Sequence, residues 1–145
     1  MKDLLYLTDK SLKEVIELIF QAYIDSYSDP YEVLKKNSFG RAHHRLLCII
    51  EGNPNISIAD ILRKLKITKQ SLSRVLQDLI KKKIISQKKG TKDARQRELQ
   101  LTEEGLSLCN IIFNKQKKRI YNALKTAGAD EVTNFKNVMR KIIDG

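Results

Sequence analysis

The chain has 145 residues, 41% of them hydrophobic and 31% charged, which is enough to bury one sizeable core. Its longest uninterrupted apolar run, residues 46–50, is far shorter than the roughly 20 residues of a membrane span, and the N-terminal segment lacks the continuous apolar region of a secretory leader. We therefore expect a cytoplasmic protein folded as a single structural unit.

The positive charge is concentrated in the middle of the chain. The formal net charge is +11; residues 38–100 carry +10 of it, whereas residues 1–37 carry −2 and residues 101–145 carry +3. A surface that neutralises phosphates shows such a concentration, and a uniformly solubilising charge does not. Charge alone also leaves an acidic protein or an anionic membrane surface possible as the partner.

The first predicted helix runs from Ser11 to Tyr27, where apolar residues recur every three or four positions. Ser11 with Glu14 fits a capping box, and Pro30 ends the pattern. One or two further helical turns follow up to Asn37. The first helix is acidic overall, which makes it a poor element for contacting DNA.

A second helix is predicted from Gly40 to Gly52. The apolar run within it also fits a buried strand, but the length of the flanking pattern favours a helix. His43 and His44 are adjacent and point about 100° apart on a helix, so they cannot form an i, i+4 metal pair. We favour packed or hydrogen-bonded histidines over metal ligands.

Groups that carry catalytic or redox chemistry are sparse. Cys48 and Cys109 lie within helical patterns and do not form a close-spaced motif, which favours buried free thiols over a redox switch. The sequence has no glycine-rich phosphate loop, no close metal-ligand spacing and no nucleophile in a recognisable setting. We predict no enzymatic activity, no cofactor and no metal.

Two short amphipathic helices separated by a three-residue turn follow. Ser57 with Asp60 caps the first, and Thr68 is the candidate N-cap of the second. The second helix has its apolar residues on one face: Leu72, Val75, Leu76, Leu79 and Ile80. Two short strands around a basic loop come next, and this order is typical of a winged helix-turn-helix.

The opposite face of that second helix is polar. Its stripe is Gln70, Arg74, Gln77 and Lys81, with Ser71 and Ser73 at its edges. Any solvated helix has a polar face, but amides, hydroxyls and arginine are the groups that can bind base edges. The one acid of the helix, Asp78, lies on the flank, so the composition favours a DNA-binding surface.

The strands begin at Ile84 and end at Leu101, with Leu99 and Leu101 predicted to face inward and Glu98 and Gln100 outward. The loop between them is basic and too polar to be core; its cations are Lys88, Lys89, Lys92, Arg95 and Arg97. It fits a wing that contacts the sugar-phosphate backbone or the minor groove. Asp93 is placed to orient the Arg95 guanidinium, although a solvated turn aspartate is an equally good interpretation.

These residues resemble the MarR family of bacterial transcriptional regulators over roughly residues 40–107. The family's wing signature D-x-R-x-x-x-L-x-L-T-x-x-G is matched by Asp93, Arg95, Leu99, Leu101, Thr102 and Gly105. The start of the family's recognition helix is matched by Thr68, Lys69, Ser71, Ser73, Arg74, Leu76 and Leu79. Lys83 departs from the family, which usually has a glycine closing this helix.

The resemblance implies a dimeric repressor or activator with its recognition helix in the major groove and Arg95, supported by Asp93, in the minor groove. The predicted DNA contacts are Thr68, Lys69, Gln70, Ser71, Ser73, Arg74, Gln77, Lys81, Lys89, Lys92, Asp93, Arg95 and Arg97. Similar proteins often bind small molecules beside the dimer helices, and the candidates for such an effector site are Tyr23, Tyr27, Arg41 and His44. For each of these four, core packing or surface exposure is the favoured interpretation.

Thr102 is placed to cap a long helix that ends at Gly128, and a last helix begins at Asp130. The terminal helices have more apolar surface than a small winged domain can cover, which predicts a homodimer. The expected fold class is mostly α with a small β-hairpin: a winged helix-turn-helix at 39–105 between dimerisation segments at 1–38 and 106–145.

Two functions remain open at this point. The first is a sequence-specific double-stranded DNA-binding regulator, expected to be a repressor, that acts as a homodimer on a pseudo-palindromic operator and is released by a small molecule. The second is a non-specific nucleic-acid-binding or protein-interaction module in which the basic stripe gives only electrostatic attachment. Salt dependence and base preference separate the two.

Overall fold

The computed structural model describes residues 2–144, which form a short 3₁₀ helix, seven α-helices and three strands. The helices are α1 (Asp9–Ser28), α2 (Tyr31–Lys36), α3 (Arg41–Gly52), α4 (Ile58–Leu65), α5 (Lys69–Lys81), α6 (Glu103–Ala127) and α7 (Ala129–Asp144). The strands are β1 (Ile56–Ser57), β2 (Ile85–Lys89) and β3 (Arg97–Leu101). The predicted mostly helical architecture around a small hairpin is confirmed.

The chain divides into two compact units. One comprises Pro30–Phe113, and the other comprises the residues up to Asp29 together with those from Asn114 onward. We call them the winged unit and the terminal unit. The division predicted from the sequence, at 1–38, 39–105 and 106–145, stays a prediction.

The hydrophobic core lies in the winged unit. Helices α3, α4 and α5 pack their apolar faces together over the sheet, and the most completely buried side chains are Leu46, Leu47, Ile50, Ile61, Leu79, Ile85 and Leu99. The predicted helix at 40–52 is confirmed, since α3 covers the run that also fitted a strand. Burial of these aliphatic side chains is the dominant favourable term for the unit.

The sheet is antiparallel, with β3 in the centre and β1 and β2 on either side. Ile85 pairs with Leu101 across the hairpin, and Ile56 pairs with Leu99 on the other side of β3. The sequence predicted only the hairpin, because two residues are too few for an alternating pattern to reveal β1.

In the terminal unit, α1 begins earlier than predicted. Its N-cap is Thr8, whose hydroxyl oxygen accepts a hydrogen bond from the Ser11 N–H at 3.2 Å. The capping box predicted at Ser11 and Glu14 is therefore wrong, because Ser11 already lies inside the first turn. Gln116 donates to the Ser26 carbonyl at 3.0 Å, and Arg119 forms two hydrogen bonds with Asp29, so α1 and the distal part of α6 are connected within this unit.

The two cysteines have different environments. Cys109 is buried, as predicted, and burial is the main cause that raises the pKa of its thiol to about 12. Cys48 is exposed, so the prediction of burial is wrong for this residue. Its neighbours Leu47 and Ile49 occupy the core side of α3, which leaves position 48 on the solvent side.

The recognition-helix candidate, α5, ends at a lysine in a left-handed backbone conformation. Lys83 has φ 60°, its N–H donates to the Ile80 carbonyl at 2.9 Å, and the Ile84 N–H donates to the Leu79 carbonyl at 2.9 Å. These two bonds form a Schellman motif, which usually places glycine where Lys83 stands. The geometry expected of a glycine is thus retained with a lysine.

We therefore expect Lys83→Gly to raise the free energy of unfolding by about 1 kcal/mol, because glycine avoids the steric cost of the left-handed region. Urea unfolding at one fixed protein concentration measures the change. Lys81→Gly, within the helix, is the matched control and should lower stability by about 1 kcal/mol. An equal decrease in the free energy of unfolding of both variants would contradict the idea that the left-handed backbone at Lys83 is strained.

Candidate nucleic-acid interface

The helix-turn-helix is defined by two side-chain caps. The Ser57 hydroxyl accepts the Asp60 N–H at 3.1 Å at the start of α4, and the Thr68 hydroxyl accepts the Ser71 N–H at 3.1 Å at the start of α5. Lys66 takes a left-handed conformation, φ 54°, and closes α4. Both predicted caps are confirmed, and together with Lys66 they fix the turn between the two helices.

One face of α5 packs against the core, so the polar side chains of the helix lie on the opposite face, toward solvent. Leu72, Leu76 and Leu79 are buried. All the predicted α5 contacts, with the capping Thr68, are exposed: Thr68, Lys69, Gln70, Ser71, Ser73, Arg74, Gln77 and Lys81. The winged unit therefore presents one continuous polar helix face to solvent.

Asp78, the one acidic residue of α5, is hydrogen-bonded to a side chain of α3. Asp78 Oδ2 lies 2.9 Å from His43 Nε2, and His43 Nδ1 accepts the Gly40 N–H at 3.0 Å. Because Nδ1 acts as the acceptor, Nε2 carries the proton donated to Asp78 in this arrangement. The His43 ring stacks on Phe39 at a centroid distance of 4.9 Å. The hydrogen-bonded interpretation of His43 is confirmed, and its bond directs the Asp78 carboxylate toward α3.

The loop at residues 90–96 between β2 and β3, which we call the wing loop, closes through its own backbone. The Gly90 N–H donates to the Gln96 carbonyl at 2.7 Å, and the Gln96 N–H donates to the Asp93 carbonyl at 3.0 Å. A Cβ at position 90 would lie 2.4 Å from the Asp93 oxygen, so the close approach requires glycine. The loop is compact and has a defined conformation.

Arg95 is held by Asp93. Asp93 Oδ1 accepts the Arg95 N–H at 3.0 Å and Nε at 3.3 Å, while Nη2 lies 3.4 Å from Oδ2. The backbone bond, followed by the guanidinium bond, holds the pKa of Asp93 below its usual range. The Arg95 side chain is 91% exposed. The guanidinium is thus oriented and accessible to solvent. Lys89, Lys92 and Arg97 are also exposed.

The side chain of Glu98 is buried, contrary to the prediction from the alternating pattern of the strand. It was predicted to face outward, but only 8% of it is exposed, because the wing loop folds back over it and Thr91 donates two hydrogen bonds to its carboxylate. Strand alternation cannot anticipate a loop that covers the solvent face. No residue pattern near Glu98 indicated this pairing.

The four candidates for an effector site fall into different units. Tyr23 and Tyr27 contact each other in the terminal unit, with their ring centroids 4.5 Å apart and their planes tilted by 36°. In the winged unit, Arg41 is exposed and His44 is only 1% exposed within the core. Among residues 4–143, whose side chains the structure describes, no three His, Cys, Asp or Glu side chains form a group that could hold a metal. None of the helices within residues 2–144 is long and apolar enough to cross a membrane.

Comparison with known proteins adds independent evidence. Residues 38–96 match the model of the MarR family. The chain is 37% identical over 141 residues to the HTH-type transcriptional regulator PetP of Rhodobacter capsulatus, an alignment covering 97% of this chain and 85% of that protein.

Solved structures show the same fold. NadR in complex with 4-hydroxyphenylacetate is 22% identical with a TM-score of 0.76, covering 88% of this chain and 89% of that one. A mutant MarR from E. coli complexed with operator DNA is 20% identical with a TM-score of 0.66, covering 95% and 97%. A MepR mutant from an S. aureus clinical isolate is 18% identical with a TM-score of 0.72, covering 90% and 95%.

The wing signature, the capped recognition helix and the near full-length match to a transcriptional regulator agree with one another. The chain belongs to the MarR family of transcriptional regulators.

Proposed function

We propose that this protein is a homodimeric repressor of the bacterial cytoplasm that binds a pseudo-palindromic double-stranded operator in a sequence-specific manner. The observation that carries the proposal is the joint exposure of the polar face of α5 and of Arg95 within one strongly basic unit. The operator DNA in the structure of the E. coli MarR mutant supports the same partner class.

Helix α5 and the wing loop offer different functional groups to DNA. Near its start α5 offers Gln70, Ser71 and Arg74, and amide and guanidinium groups can make bidentate contacts with adenine and guanine in the major groove. Arg95 suits the minor groove, where the negative potential is greatest when the groove is narrow. The lysines of both elements neutralise phosphates and contribute affinity without base preference.

Dimerisation is supported by the surface of the terminal unit. None of its described side chains at 4–29 or 114–143 is buried, although α1 and α7 have apolar faces. The exposed apolar side chains of these two helices include Ile16, Leu18, Phe20, Phe135, Val138 and Ile142. An apolar surface of this kind usually packs on a partner, and a second copy would also place two α5 helices on one duplex.

The proposal extends to release by a small-molecule effector. The ligand in the NadR structure, 4-hydroxyphenylacetate, is an aromatic anion and supports this part. Within the terminal unit, Tyr23 and Tyr27 lie with their ring centroids 4.5 Å apart and offer aromatic surface for a ligand of this class. Release of a bound duplex by aromatic carboxylates is the corresponding measurement.

The test is a titration against two duplexes, one selected by the protein from a random pool and one scrambled, at about 50 and 200 mM salt. We expect both affinities to fall with salt, with the preference for the selected duplex retained at the higher concentration. Light scattering of the complex should give two chains per duplex, each of 16.7 kDa. Equal affinity for both duplexes would indicate an electrostatic module, and one chain per duplex would contradict the dimer.

A further inference from the structure

Glu98 is a carboxylate at the base of a basic wing, and its bonds are directed into the hairpin. Its Oε1 accepts the Thr91 N–H at 2.8 Å and the Thr91 hydroxyl at 3.1 Å. Lys88 stands directly opposite on β2, with its Nζ 3.9 Å from Oε2. The carboxylate thus joins the central strand to the beginning of the wing loop.

The position of this Glu98–Thr91 pair matters for Arg95. Gly90 and Gln96 close the wing loop through their backbone bond, and the Asp93–Arg95 contact lies within it. The pair adds two hydrogen bonds between a side chain of the central strand and the wing loop, and the Lys92 cation of the loop also attracts the Glu98 carboxylate. Without it the loop would keep its internal turn but lose a fixed orientation relative to the sheet.

We propose that Glu98 is a positioning residue for DNA binding, which holds Thr91 so that the wing loop presents Arg95 to the duplex already ordered. This inference rests on the proposed function. A loop ordered before binding does not lose that conformational freedom on binding, so affinity rises and dissociation slows. The Thr91 backbone bond also holds the pKa of Glu98 below its usual range, and the carboxylate remains ionised at neutral pH.

Whether substitution of Glu98 weakens or tightens DNA binding distinguishes a positioning role from simple charge repulsion. A carboxylate that merely stood near phosphates would repel them, and its removal would tighten binding. Positioning predicts the reverse: Glu98→Ala weakens binding about tenfold, because the loop must be ordered on contact. Glu98→Gln keeps an oxygen that accepts both Thr91 donors and should stay within about twofold of wild type.

The experiment measures affinity and dissociation rate on the selected duplex, with melting temperature and hydrogen exchange of the Thr91 amide. Thr91→Val, which removes the hydroxyl without changing charge, should weaken binding about threefold. Glu104→Ala, which removes the same charge from the exposed first turn of α6, is the control and should bind no more weakly than wild type. In Glu98→Ala the Thr91 amide should exchange faster while the melting temperature stays close to wild type.

Tighter or unchanged binding by Glu98→Ala would overturn the inference. So would an equal loss in Glu98→Gln, since the accepted hydrogen bonds would then not be the cause. Arg95→Ala separates this failure from that of the proposed function: if Arg95→Ala weakens binding and Glu98→Ala does not, only the positioning role is wrong. If Arg95→Ala binds as wild type, the wing contact itself is wrong.

Discussion

Gly105→Ala is expected to lower the free energy of unfolding by about 3 kcal/mol, because the new methyl group meets backbone that cannot move away. A Cβ at position 105 would lie 2.2 Å from the Ile84 carbonyl oxygen and 3.2 Å from its carbon. That oxygen already accepts the Thr102 N–H at 3.0 Å and the Thr102 hydroxyl at 3.1 Å. The first turn of α6 therefore contacts the segment between α5 and β2 at a distance that only glycine permits.

Thermal unfolding at fixed protein concentration measures this change, and a melting temperature about 10 °C lower is the expected result for a chain of this size. Gly52→Ala is the matched control: a Cβ there meets nothing within 4 Å at the end of α3. It should leave stability unchanged or slightly higher, since alanine is the better helix former. A Gly105→Ala protein as stable as the control would show that α6 can shift without cost.

Position 105 also illustrates what the sequence could and could not predict. The signature identified Thr102 and Gly105, but the reason for the glycine is a contact with Ile84, which no periodic pattern contains. Helices α3, α4, α5 and α6 were predictable because apolar residues recur in each of them every three or four positions, and because α4, α5 and α6 have recognisable N-cap residues. Side-chain contacts distant in sequence were not.

The same distinction applies to the interface. Exposure of the α5 stripe followed from the burial of Leu72, Leu76 and Leu79, since a helix with one face in the core must present the other. The bond of His43 to Asp78 joins residues 35 apart and depends on how α3 packs on α5. Burial of Glu98 depends on the conformation of the wing loop. Neither contact can be predicted from the spacing of residues in the sequence.

Arg95→Ala is expected to weaken binding to every duplex by about tenfold, because it removes a preoriented cation whose minor-groove contact carries little base information. Filter binding or fluorescence anisotropy on the selected and scrambled duplexes gives both affinities. Arg140→Ala, which removes an equal charge from α7 in the terminal unit, is the matched control and should bind as wild type. A similar loss in both variants would mean that overall charge, and not the wing, sets affinity.

Gln70→Ala tests the contact of α5 with bases. We expect it to change base preference, whereas Arg95→Ala should change only overall affinity. Its amide can make a bidentate contact with one base pair, so its removal should cost about 1–3 kcal/mol on the selected duplex and much less on the scrambled one. The ratio of the two affinities falls for Gln70→Ala and stays near wild type for Arg95→Ala. That contrast requires α5 to contact bases while the wing contacts the backbone and minor groove. If both substitutions left the ratio unchanged, α5 would be an electrostatic surface and base preference would have to come from elsewhere in the chain.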